Sequence, residues 1–93
     1  MNHKKLKKGY ISLYKQMMKY IWSYYTIELL AELEVAVCNV FPVMTDVRTK
    51  FQRLQNSVRE QIREDDEMKK AFDDFNDLIQ EEVTYANITV VVK

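Results

Sequence analysis

The 93 residues contain one glycine (Gly9), one proline (Pro42), one cysteine (Cys38) and one histidine (His3). Each shortage excludes something. An all-β chain needs frequent turns built on glycine and proline, so their scarcity leaves the all-α class. A single thiol closes no internal disulfide, and inside an apolar stretch it behaves as a small hydrophobe. Zinc lacks ligands, and a carboxylate-bridged di-iron bundle lacks the Glu-x-x-His pattern it needs on two helices. No cofactor or metal is expected. Nor does the chain hold material for a second domain, since its length is near the lower end of what one hydrophobic core supports.

Apolar side chains are plentiful and unevenly placed. From Tyr10 to Phe41, 22 of 32 residues are apolar, with no glycine or proline among them. That pattern predicts one helix over residues 10–41, apolar around most of its circumference and roughly 48 Å long at about 1.5 Å per residue. Glu28, Glu32 and Glu34 lie within it, and a carboxylate at mid-bilayer costs about 2.5 to 3.5 kcal/mol, so a membrane span is not expected. Trp22, Ser23, Thr26 and Glu28 likewise interrupt any secretory h-region. Asn87-Ile88-Thr89 is a glycosylation sequon that has no meaning without secretion. A cytoplasmic protein is the expectation.

Before this stretch, residues 1–9 read as a basic arm carrying Lys4, Lys5, Lys7 and Lys8, because positive charge opposes the dipole at a helix start. After it, Pro42 ends the helix, with Thr45 and Asp46 suited to cap the next. Residues 45–82 differ in kind. Val47, Phe51, Leu54, Val58 and Ile62, then Met68, Phe72, Phe75 and Ile79, form a single apolar seam on an otherwise polar helix. One long helix is favoured there over two broken near Asp65. The tail, residues 83–93, is rich in valine and threonine and reads as an extended, β-prone segment with no partner strand in the chain.

Charge indicates how these pieces lie together. Residues 1–27 carry +6, residues 28–44 carry −3, residues 45–63 carry +3, residues 64–82 carry −7, and Lys93 brings the total to zero. Folding the chain back at Pro42 to Thr45 lays +6 along −7 and −3 along +3. In that register Glu28 falls near Arg59 and Glu34 near Arg53. The fold expected is therefore a long antiparallel helical hairpin that dimerises into a four-helix bundle, its apolar first helices inside. A monomeric three-helix bundle, broken near Asp65, is the alternative.

For function, the residues contain no nucleophile with its base. Glu28 and Glu32, in line with Asn39 within the apolar arc, have the spacing of an acid/base pair. Ion pairing across the hairpin or a dimer interface, with Arg53 and Arg59 as partners, accounts for them better. A helical enzyme that binds carboxylate substrates would need cations along the first helix, and no base lies between Lys19 and Arg48. The reading is a non-enzymatic protein–protein interaction module, a small adaptor or inhibitor acting as a homodimer. A nucleic-acid-associated protein is the alternative, with Lys4, Lys5, Lys7 and Lys8 on phosphates and Tyr10, Tyr14 and Trp22 as stacking platforms. The neutral overall charge and the absence of arginine before Arg48 weigh against it.

Overall fold

The computed structural model describes the backbone of residues 3–92 and the side chains of residues 4–84. Among them every regular element is a helix: α1 (His3–Met17), α2 (Tyr24–Cys38), α3 (Met44–Ser57), α4 (Arg59–Glu64) and α5 (Asp66–Val92). α1 packs along α5 and turns back against α2; α2 packs along α3; α3 closes the ring on α5, and the short α4 folds onto α5. The four long helices make an up-down-up-down bundle measuring 46 × 23 × 20 Å. The four-helix bundle expected from two copies is thus built by one chain. Any self-association joins closed bundles.

The apolar stretch makes this possible by breaking in two. Instead of one helix over residues 10–41, α1 ends at Met17 and α2 begins at Tyr24. Tyr20, Ile21 and Trp22 are aromatic or β-branched and propagate a helix poorly. The exposed helix ends are satisfied locally. Lys19 N–H donates to the Gln16 carbonyl at 3.3 Å, Tyr20 N–H to the Met17 carbonyl at 3.1 Å, and the Trp22 indole to the same carbonyl at 2.6 Å. Ser23 then caps α2, its hydroxyl accepting from Thr26 N–H at 3.3 Å and donating to the Thr26 hydroxyl at 3.2 Å. Two faces of the stretch now meet one core.

At the amino terminus α1 already begins at His3, so Lys4 to Lys8 are helical residues instead of an arm. Leu6, Tyr10, Leu13 and Met17 step by four and three residues into the core. At Gly9 α1 packs directly on side chains of α5: a Cβ there would run into Leu78 Cδ1 and lie 3.4 Å from Phe75 Cδ1.

The single helix expected over residues 45–82 is also divided, near Asp65 as the alternative reading had it and additionally at Val58. Val58, at φ −118° and ψ 20°, gives the kink between α3 and α4 while its side chain stays fully buried. At the second break Asp65 ends α4 and caps α5. Its Oδ1 accepts from Glu67 N–H at 2.9 Å and Met68 N–H at 3.3 Å. The seam survives both breaks: Val47, Phe51, Leu54, Val58, Met68, Phe72, Phe75 and Ile79 are all buried, and Ile62 packs beside them. Phe51 stacks on Phe72 with ring centroids 5.6 Å apart and meets Phe75 at 5.0 Å.

Where an extended tail was expected over residues 83–93, the backbone of α5 stays helical to Val92. A helix already nucleated gains a hydrogen bond with each added residue, whereas a lone strand has nothing to pair with. Side chains beyond Thr84 and all of Lys93 lie outside the described residues, as does the pairing expected of that segment.

Candidate interaction surface

The charge blocks lie against one another much as the antiparallel register requires, one step displaced. Arg53 Nη1 sits 4.0 Å from Glu32 Oε1, so Arg53 meets Glu32 in place of the expected Glu34. The register of α2 on α3 is set by the connection from Asn39 to Val43, which brings α3 in at Met44. Lys19 Nζ reaches Glu67 Oε2 at 3.5 Å, joining the basic block to the acidic one. Arg59, expected beside Glu28, instead donates to Asn56 Oδ1 at 2.9 Å. Glu28 is exposed on α2, and Asn39 is the exposed C-cap of that helix. Of the five residues singled out for pairing, then, the structure brings together Glu32 and Arg53 only.

One buried polar contact fixes α1 against α2. The Tyr10 hydroxyl donates to the Leu30 carbonyl at 2.9 Å. Burial, helped by the charge of Glu34, pushes the Tyr10 phenol well above its usual ionisation range, so it stays neutral and donating. Beside it, Lys7, Tyr10, Ile11, Tyr14, Glu34 and Cys38 line an α1–α2 groove with a cavity of about 210 Å³. At the turn end the Tyr20 hydroxyl bonds to Asp65 Oδ2. That bond, with the Met68 N–H, holds the Asp65 carboxyl below the usual aspartate range, and it raises Tyr20 above the usual tyrosine range.

The outer face of α2 has no counterpart among the described residues. Thr26, Leu29, Leu30, Leu33, Ala36 and Val37 point inward. On a helix advancing about 100° per residue, Tyr24, Glu28, Ala31, Val35 and Cys38 share the opposite face. Tyr24 is 82% exposed and Val35 72%. On the groove side this stripe continues into Ile27, and across the groove into Ile11 and Tyr14 of α1 and Met18 just beyond its end, all exposed. Ile21 at the turn is fully exposed, and Val40, Phe41 and Val43 stand out at the opposite turn, around buried Pro42. The sequence announced the excess of apolar residues but not their location, which depends on where the stretch breaks.

The residues of the nucleic-acid alternative are placed as follows. Lys4, Lys5, Lys7 and Lys8 are exposed on α1, and their helix lies along α5, which carries exposed Asp73, Asp74, Asp77 and Glu81. Tyr10 and Trp22 are engaged with the Leu30 and Met17 carbonyls, which leaves Tyr14 as the exposed ring among the three. Among the described residues no cluster of His, Cys, Asp and Glu is arranged to hold a metal ion, and no helix is long and apolar enough to cross a membrane. No family model matches the chain, and no curated protein or solved structure matches it either.

Proposed function

We propose that the protein is a non-enzymatic protein–protein interaction module, a small helical adaptor or inhibitor that works as a homodimer. The observation that supports this is the placement of its exposed apolar side chains: every exposed large hydrophobic residue among the described ones lies between Ile11 and Val43. A contiguous apolar surface of more than a few hundred Å² is a recurring mark of a protein contact site on a soluble domain. The formal net charge of zero removes the long-range self-repulsion that would oppose association. Light scattering should give about twice the chain mass. A species of single-chain mass that binds no hydrophobic dye contradicts the reading.

A second reading, association with nucleic acid, draws on the exposed lysines of α1. It requires affinity that falls steeply with salt, because each phosphate contact releases counterions. Exchanging Lys4, Lys5, Lys7 and Lys8 for glutamine separates the two: the interaction module keeps its mass and partner, whereas a nucleic-acid binder loses affinity. Capture from lysate with and without nuclease gives the same division.

A further inference from the structure

Resting on the interaction-module reading, we propose that the partner at the α1–α2 face is a second copy, related by a twofold axis running along the groove so that α1 of each copy lies over α2 of the other. A closed dimer needs a patch that is complementary to itself. The two helices beside the groove satisfy that requirement in two respects.

The first is apolar area. Ile11 and Tyr14 on α1 and Met18 just past its end, with Tyr24, Ile27 and Val35 on α2, are between 41% and 82% exposed. With aromatic side chains of about 200 Å² and aliphatic ones somewhat smaller, they present on the order of 600 Å². A stable interface of standard size takes roughly 800 Å² from each partner, a figure that Ala31, Cys38 and the flanking polar rim complete. The face is the right size for one partner of its own kind.

The second is charge, which selects between the two twofold arrangements open to a two-helix face. α2 contributes Glu28, Glu32 and Glu34 and no base; α1 contributes Lys4, Lys5, Lys7, Lys8 and Lys15 and no acid. An axis across the helices would lay α2 on α2, bringing Glu28 of one copy toward Glu34 of the other, and lysines on lysines, which is unfavourable in a partly desolvated interface. An axis along the groove lays the basic helix on the acidic one twice. Lys7 and Glu34 both line the groove and so stand at one level. Counting toward the turn, Lys15 comes within a helical turn of Glu28. Under the twofold, Lys15 of one copy reaches Glu28 of the other, while Ile11 crosses Ala31. Glu28 has no ion-pair partner among the described residues, in contrast to Glu32 with Arg53. The second copy supplies one.

The experiment is sedimentation of the full chain over a concentration series, with helicity checked by circular dichroism. Wild type should be a dimer. Ala31→Arg, at an exposed position in the middle of the stripe, should raise the dissociation constant at least tenfold with helicity unchanged. Lys15→Glu and Glu28→Lys should each weaken the dimer, and the two together should restore most of it, because the exchanged charges attract again. Gln52→Ser, at an exposed position of α3, should leave it untouched. A wild-type dimer that ignores Ala31→Arg and both charge reversals overturns this geometry and leaves the interaction reading standing. A double reversal no tighter than the single ones overturns the α1-over-α2 pairing. A monomer at every concentration overturns the inference, and a monomer that also binds no hydrophobic dye takes the interaction reading with it.

Discussion

The two halves of the molecule use apolar residues differently. In α3, α4 and α5 one seam faces inward, the buried residues fall on it, and the outer surface is charged. In α1, α2 and the turn between them the residues are apolar on two sides, so that after Leu13, Leu30, Leu33 and Val37 have filled the core, Ile21, Tyr24 and Val35 remain in water. A core alone explains the first pattern. The second needs something further, because exposing hydrophobic side chains contributes nothing to the stability of the bundle. The contrast separates residues that hold the fold from residues that are available for contact.

The sharpest way to break that contrast is to exchange one residue from each half. Phe72→Ala opens a cavity beside Phe51 and should cost about 3 to 5 kcal/mol in urea denaturation. Ile21→Ser, at a fully exposed site, should move stability by no more than about 0.5 kcal/mol at concentrations where the chain is monomeric. If Ile21→Ser proves as costly as Phe72→Ala, the turn is packed in solution and the division between the halves fails.

Next in size is the seam between the halves at Gly9. A β-branched side chain must displace the flexible end of half-buried Leu78 and touches Phe75, so Gly9→Val should destabilise by about 1 kcal/mol, the low end of overpacking. A thermal melt decides it. A stabilised variant, as expected for replacing glycine inside an isolated helix, would show that α1 and α5 are further apart.

A smaller effect tests the register of α2 on α3. Glu32 and Arg53 are 4.0 Å apart with side chains about half exposed, so a double-mutant cycle should return between 0 and about 1 kcal/mol, reduced by salt. The same cycle on Glu34 with Arg53 should return nothing. Coupling in the second pair and not the first would restore the register of an unbroken hairpin.

Much of this architecture was readable from residue types alone, and the exceptions have physical causes. The seam from Val47 to Ile79 was legible because its polar surroundings leave one choice of inward face. The opposition of the basic start to the acidic stretch after Glu64 was legible too, since charge blocks are long and tolerate a shift of a residue or two. The break at Met18 to Ser23 was not, although a signal existed: Tyr20-Ile21-Trp22 followed by Ser23 with Thr26 three residues on is a poor helix interior and a good N-cap. Neither glycine nor proline marks it. An all-round apolar stretch also gives no periodicity from which to tell core from contact surface. The helical course of the tail was illegible because it depends on the helix preceding it, while valine and threonine locally favour extension.

The smallest predicted effect concerns the bond that ties the halves at the turn end, between Tyr20 and Asp65. Asp65 is lowered, so its contribution is complete above the ordinary aspartate range and is lost as pH falls through its folded value. Tyr20 is raised, so its contribution is complete below the ordinary tyrosine range and is lost as pH rises through its folded value. The difference in melting temperature between wild type and Tyr20→Phe should therefore be flat around neutral pH and shrink at both extremes. A difference that persists unchanged at the acid extreme would show that Asp65 is not the acceptor.

The most direct test of the central claim uses the chain's single thiol. Cys38 is exposed on the outer α2 face and borders the groove, so its alkylation by a maleimide reports whether that face is covered. Labelling should be fast in dilute protein and slow at least tenfold as concentration rises through the dimer's dissociation constant, with Ala31→Arg labelling fast throughout. A wild-type rate that stays the same at every concentration while the mass doubles would place the contact elsewhere and contradict the account.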